Sequence, residues 1–397
     1  MTNESIYRQL GIDAQKSTVR EIFSRIVDND FPGAFVNIKR DPEFPGYVFT
    51  KHPDGDGSKF LQRLLHMEET GDTSIIRGAV DDAFEMNFGD IAASGFVSGK
   101  IVLTQIIDIN AFKVGKEEVM QQIALRVAEL LKIYRDNGFD LTFFMGGETA
   151  DLPNQTSSVI YNADVYARAQ EKDLITGANI RPGDRIYGFA SFGQAVWEDE
   201  YNYGLMSNGA TQARLYLMSD EYNEKYPHLV GYGKRYKGRY RVASRLPTDA
   251  NISISKAILS PTRNWSLVIK ILINKLKERG LFDKLHGISM NTGGGATKIG
   301  HLGRGITYYK EMPEPPDLFQ MINFESNGYW ESMFESFNCG IGIDIVGEDD
   351  PELEEVLMEV EKETKIQLFE LGVCEPNTDP EKNKVILETP FGIFDNY

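Results

Sequence analysis

The chain is short of several things that define whole classes of protein. Cysteine is nearly absent: Cys339 and Cys374 are the only two in 397 residues. That is too few for a disulfide scaffold or a cysteine-rich zinc site. Positive charge is also in deficit, with 42 Lys+Arg against 59 Asp+Glu and a formal net charge of −17. A surface that grips nucleic acid or anionic lipid needs the opposite balance, so neither is expected as a partner. No apolar run approaches the roughly 18 residues that a membrane span needs. Met1 to Gln15 is polar, without the apolar stretch of a secretory signal, so the expected compartment is the cytosol. The common nucleotide and metal fingerprints are missing too. There is no G-x-x-x-x-G-K-[ST], no G-x-G-x-x-G after a strand and no H-E-x-x-H, and the histidines at 52, 66, 228, 286 and 301 are scattered.

What is present is the composition of a soluble enzyme, 41% hydrophobic and 25% charged, enough to bury a sizeable core. The length suits about two or three domains. Apolar residues recur at helical spacing over Glu117 to Asp136, ended by Asn137-Gly138, and over Trp265 to Arg279, ended by Gly280. Pro351 opens a third helix with Leu353, Val356, Leu357 and Val360 on one face. Between the helices lie β-rich runs at Ile101–Ile107, Leu141–Met145, Val159–Ala167, Arg185–Ala190 and Gly340–Val346. The fold class is therefore α/β, a mixed α and β protein. The turn-rich stretch from Gly177 to Asp184 divides a domain of residues 1–178 from one of residues 179–397. Within the second domain, Ser219 to Ser255 reads as a long excursion.

The candidate chemistry sits in small-residue loops. Asp54-Gly55-Asp56-Gly57-Ser58-Lys59 could turn backbone amides toward a phosphate, with Lys59 as a point charge and aspartates for Mg²⁺; an ordinary hydrophilic turn is the other reading. Gly146-Gly147-Glu148-Thr149-Ala150-Asp151 follows an apolar strand, where α/β proteins place ligands, although a plain strand-end turn fits too. Thr292-Gly293-Gly294-Gly295 suits close approach to a phosphate or a flexible loop. Ser207-Asn208-Gly209 offers neutral donors, and Thr262-Arg263 adds a fork suited to a phosphate monoester. The stretch from Lys234 to Arg241 is basic with tyrosines interleaved, read first as a solvated loop, next as help for an anionic substrate and last as a nucleic-acid contact.

Taken in order along the chain, these loops, together with Gly89-Asp90, Gly146 to Pro153, Ser260 to Arg263 and Phe337-Asn-Cys-Gly-Ile-Gly342, resemble the aminoimidazole ribonucleotide synthetase family, the phosphoribosylformylglycinamidine cyclo-ligases of purine synthesis. The resemblance implies a two-domain subunit whose amino-terminal domains pair into a β-barrel in a homodimer. It implies an ATP-dependent ligase that closes formylglycinamidine ribonucleotide into aminoimidazole ribonucleotide, releasing ADP and phosphate. It places ATP and Mg²⁺ along the amino-terminal domain, with Asp54, Asp90 and Glu148 as metal residues and Lys59, Asp90 and Glu148 as catalytic ones. The nucleotide would lie against Asp54, Gly55, Gly57, Ser58, Lys59, Gly146, Gly147 and Thr149. The small-molecule substrate would lie against Ser207, Asn208, Gly209, Thr262, Arg263, Thr292, Gly293, Gly294 and Gly295.

The chain departs from that pattern in places. Asp30-Phe-Pro-Gly-Ala-Phe35 replaces a glycine-rich segment, Gly89 stands for an asparagine, and Met206 for a histidine. Segments near 195–206 and 219–255 look inserted. The alternatives are a related enzyme acting on another amide or phosphate acceptor, or a nucleotide-binding subunit without turnover.

Overall fold

Two β-sheets, formed one after the other along the chain, organise the computed structural model, which describes residues 6–12, 22–23, 26–144, 147–231, 233, 235–395 and 397. Gly146, a nucleotide candidate, and Lys234 of the basic stretch lie outside the described residues.

The first sheet holds β1 (Lys39–Arg40), β2 (Tyr47–Gly55), β3 (Lys100–Ile109), β4 (Asp140–Phe143), β5 (Glu148–Asp151) and β6 (Val159–Gln170). Its order is β1-β2-β6-β3-β4, and β5 follows β4 along the same edge of β3, both parallel to it. Alternation specifies the two faces: in β6, Val159, Tyr161, Ala163, Val165, Ala167 and Ala169 are buried and the residues between them are not. The buried face is covered by α1 (Lys59–Thr70), α2 (Gly78–Ala93) and α3 (Lys116–Asp136). The other face is open, and Ile106 and Ile160 stand on it at 42% and 43% exposure.

The second sheet holds β7 (Arg185–Ala190), β8 (Leu285–Met290), β9 (Ile306–Glu311), β10 (Ile341–Gly347), β11 (Leu368–Pro376), β12 (Lys384–Thr389) and β13 (Gly392–Phe394), in the order β8-β10-β7-β11-β9-β12-β13. Only the β9–β12 pair is parallel among these neighbours. Helix α4 (Ala210–Leu217) precedes the excursion, α5 (Trp265–Glu278) follows it, and α6 (Pro351–Thr364) packs on α5. Asp350 caps α6 by accepting from the amides of Glu352 and Leu353, with Pro351 as its first residue. The Ser219–Ser255 excursion folds over the end of α1: Glu69 accepts from the Tyr226 hydroxyl at 2.7 Å and the Lys225 ammonium at 2.5 Å.

Helix α2 is the pillar between the two halves. The first sheet lies on one side of it, and α5 and β8 lie on the other. Every residue from Ala79 to Ala93 is buried, including Asp81, Asp82, Glu85, Asn87 and Asp90. Buried polar groups must be partnered, and most of these are. Glu85 accepts from the Tyr134 hydroxyl at 2.5 Å, the Ser266 hydroxyl at 2.7 Å and the Ser266 amide at 3.1 Å. Burial nevertheless outweighs those donors and pushes its carboxyl up to about 7. Asp81 holds Arg126 at 2.7 Å.

Candidate active site

On an alternating strand, residues two apart share a face. His52 and Asp54 therefore both point from β2 toward α2, as Val48 and Thr50 do earlier in the strand. Asp90, in the last turns of α2, meets them. One ligand atom from each of His52, Asp54 and Asp90 lies within 4.8 Å of the others. Asp90 is 7% exposed, and its Oδ1 has no hydrogen-bond partner. Its Oδ2 lies 3.2 Å from His52 Nε2, a contact that is not a formed hydrogen bond. Burial disfavours a charged His52, but the Asp90 carboxylate outweighs it and holds the imidazole pKa above its ordinary value. Two carboxylates and an imidazole converging on one point, with a buried oxygen left over, are a donor set that fits a divalent cation.

The carboxy-terminal half closes on this group. Gly89, beside Asp90, approaches the end of β8 so tightly that a Cβ there would stand 2.5 Å from Met290 Cε. The segment Thr292-Gly293-Gly294-Gly295 follows directly. Its Gly294 and Gly295 have φ of 102° and 55°, and a Cβ on Gly295 would lie 2.4 Å from the Phe337 carbonyl oxygen. These glycines thus make a tight packed turn, with the Gly295 amide donating to the Thr292 carbonyl. Lys298, in the turn that follows, acts electrostatically on His52 and lies over the Phe35 ring at 5.4 Å. The Asp30–Phe35 segment accordingly borders the same place. Sequence reasoning missed His52 and Lys298; for His52 the signal was its place two residues before Asp54 on a strand.

Several expected ligand residues serve a different purpose. Lys59 was expected on phosphate, but it is fully enclosed. Its ammonium donates to Asp82 at 3.1 Å, to the Met206 carbonyl at 2.8 Å and to the Ser260 carbonyl at 2.5 Å, which uses all three of its protons. Met206 adopts φ 59° at that contact, a conformation seldom seen without glycine. Arg63, also fully enclosed, pairs with Asp82 and lies 3.5 Å from Asp56. Asp82 further accepts from the Thr262 amide and hydroxyl, each at 2.7 Å. Burial alone would raise the Asp82 carboxyl, but Lys59 and Arg63 lower it to about 2, while burial pushes Asp56 well up. Arg263 was expected on the substrate phosphate. Its guanidinium instead donates to Glu198 and to the carbonyls of Ala190, Phe192 and Gly193, filling its donors. Lys59, Thr262 and Arg263 therefore join the two halves here and present nothing to a ligand.

Ser58, Ser207, Asn208 and Gly209 gather near the start of α4. Ser58 Oγ lies 2.5 Å from Thr211 Oγ1, and Ser207 Oγ lies 3.1 Å from Thr262 Oγ1. Asn208 Nδ2 is enclosed without a partner. Gly209 is required by space and conformation, since a Cβ there would fall 1.9 Å from the Phe337 ring at φ 79°. Gly55 and Gly57 flank Asp56, and the latter turns at φ 66°.

Glu148 is not brought to Asp54 and Asp90. Gly55 faces Asn162, Asn162 faces Ile106, and Ile106 faces Glu148 across adjacent strands. Three strand spacings make about 14 Å. Gly147, Glu148 and Thr149 lie exposed there, with Glu148 accepting from the Thr149 amide at 2.9 Å. A hollow of about 580 Å³ lies elsewhere, at the far end of α1, lined by His66, Tyr201, Tyr203, Arg245, Asp249 and Lys256 among others. Its size alone is no argument against the smaller cation-fitting group, whose chemistry is the more specific.

No family model matches the chain. Among curated proteins it is 27% identical over 381 residues to the phosphoribosylformylglycinamidine cyclo-ligase of Pyrococcus horikoshii, covering 94% of this chain and 92% of that one. To the protein of the same name from Methanococcus vannielii it is 26% identical over 339 residues, covering 85% and 80%. Solved structures share the fold. A chain of the HypE-HypF complex superposes with TM-score 0.56 at 15% identity, covering 96% of this chain and 99% of that one. AaThiL complexed with AMPPCP and TMP gives 0.52 at 10% identity, covering 100% of both. The chain is thus similar along most of its length to proteins named phosphoribosylformylglycinamidine cyclo-ligase, at 26–27% identity.

Proposed function

We propose that the chain is an ATP-dependent cyclo-ligase, converting formylglycinamidine ribonucleotide to aminoimidazole ribonucleotide with release of ADP and phosphate. The observation that carries this reading is the meeting of Asp54 and Asp90 where α2 packs against Met290 at the end of β8, in a chain similar to those ligases along most of its length. An amide oxygen is a poor leaving group, so ring closure requires phosphoryl transfer to that oxygen before nitrogen attack. Such chemistry asks mainly for positioning and neutralised charge. Asp54 and Asp90 would hold Mg²⁺, which supplies charge neutralisation at the nucleotide phosphates when bound. Lys298, over the Phe35 ring, adds positive potential near His52. Ser207 and Asn208 offer neutral donors to the substrate, Asn208 through an amide that has no protein partner.

The nucleotide would lie along the amino-terminal domain, residues 1–178, with residues 179–397 on the substrate side. The open face of the first sheet, with Ile106 and Ile160 exposed among polar residues, is the surface on which a second copy would close a barrel. A cytosolic homodimer follows from this reading. The test is ADP release from Mg-ATP by the purified protein with and without formylglycinamidine ribonucleotide. Substrate-dependent ADP together with aminoimidazole ribonucleotide is the expected result; ATP binding without stimulation by this substrate would refute it.

A further inference from the structure

We propose that His52 is an inner ligand of the cation held by Asp54 and Asp90, and that the site consequently takes a borderline first-row cation such as Mn²⁺ or Co²⁺ in preference to Mg²⁺. The inference deepens the reading above, on which it rests for the site but not for the reaction. It begins with geometry. Ligand atoms around one ion stand at most about twice the metal–ligand distance apart, roughly 4.4 Å for bonds near 2.2 Å. The three donor atoms lie within 4.8 Å of one another, so a small adjustment brings all of them onto one ion. His52 Nε2 and Asp90 Oδ1 are both buried and both without a hydrogen-bond partner. Two such neighbouring atoms, left unsatisfied where polar groups are normally paired, are both satisfied by one cation.

The chemistry then decides which cation. Mg²⁺ prefers oxygen donors and keeps several waters, whereas an imidazole nitrogen suits Mn²⁺ poorly to moderately and Co²⁺ or Zn²⁺ well, in the general order of rising affinity. A two-oxygen, one-nitrogen set therefore tilts selectivity away from Mg²⁺. The backbone supports this placement, since His52 and Asp54 are fixed to one face of β2 by nine consecutive pairings with β6.

The test is direct nitrogen detection. Mn²⁺ is added to the whole protein, alone and with a non-hydrolysable ATP analogue, and pulsed electron paramagnetic resonance reads any nitrogen coupling. Coupling is expected in the wild type and absent in His52→Asn, which keeps a polar side chain that stops one atom short of Nε2. By titration, His52→Asn should weaken Co²⁺ binding at least about tenfold and Mg²⁺ binding less than about threefold. Absence of nitrogen coupling under both conditions, or equal losses for Co²⁺ and Mg²⁺, overturns the proposal. Because metal binding is read without turnover, failure of the cyclo-ligase assay with nitrogen coupling retained would refute the reaction and leave His52 as a ligand.

Discussion

Two groups of charged side chains come from the same twelve-residue stretch of sequence and meet opposite fates. His52 and Asp54 leave β2 and join Asp90 in a pocket where a buried oxygen and a nitrogen have no partners. Lys59 and Arg63, on the next turns of α1, vanish into the joint between the two halves, where Asp82 and the carbonyls of Met206, Ser260 and Ile75 engage them and Thr262 in turn holds Asp82. Both groups look equally suited to phosphate and metal in the sequence. The difference lies in which distant residues arrive: Met206, Ser260 and Thr262 reach Lys59 and Asp82, and nothing comparable reaches Asp90 Oδ1. Arg63 Nε and Asp56 Oδ2 also lack partners, but both Asp82 oxygens and all three Lys59 protons are engaged, which makes that pair architecture, whereas Asp90 keeps a buried oxygen open for a ligand.

The largest effect should come from the group around Asp82. Asp82→Ala leaves Lys59 and Arg63 buried with no close anion except Asp56. Removing one member of such a set typically costs about 3–5 kcal/mol. Urea unfolding should show a loss of that size; a loss under about 1 kcal/mol would mean that the joint is open to water and the distinction between the two groups fails.

Next comes Glu85, one turn along α2 from Asp82. Burial raises its carboxyl from 4.5 to about 7 in the folded chain. Between those values the unfolded chain has already released a proton that the folded chain keeps, so stability falls as pH rises through that window and is level above it. The span corresponds to roughly 3 kcal/mol at most. Unfolding measured from pH 4.5 to 7.5 should show this falling component, and Glu85→Gln should remove it. A slope unchanged in the variant would assign the proton elsewhere.

The legibility of the fold in the sequence follows the same division. Amphipathic α3, α5 and α6 and the alternating β6 were readable because one face of each is buried, and periodicity records exactly one thing, a buried face. Helix α2 was not readable: it is buried all round, so it has no stripe, and its carboxylates look like surface residues until their partners are known. At the site, Asp54 and Asp90 were reachable through the family's motif order. His52 needed only strand alternation. The enclosure of Lys59 and of Arg263 was out of reach, because it depends on contacts with Met206, Ser260, Glu198 and the β7 carbonyl of Ala190, far away in sequence. Motif order identifies a neighbourhood; the packing decides which member faces the ligand.

The sharpest test of the comparison is Asp90→Asn, which changes one oxygen into an amide nitrogen and leaves the shape of α2 alone. If Asp90 completes a cation site, substrate-dependent turnover should fall at least about a hundredfold, equivalent to roughly 2.7 kcal/mol. Unfolding free energy should move by less than about 1 kcal/mol, since among the described residues no lysine or arginine pairs with Asp90 as Lys59 and Arg63 pair with Asp82. The two variants together form a crossed pair: Asp82→Ala costs stability, and Asp90→Asn costs turnover. A variant at Asp90 that unfolds readily while its surviving fraction turns over normally would reverse the assignment, making the strand group structural. The difference in outcome therefore tests the partner count itself, because both are aspartates on one buried helix, two turns apart.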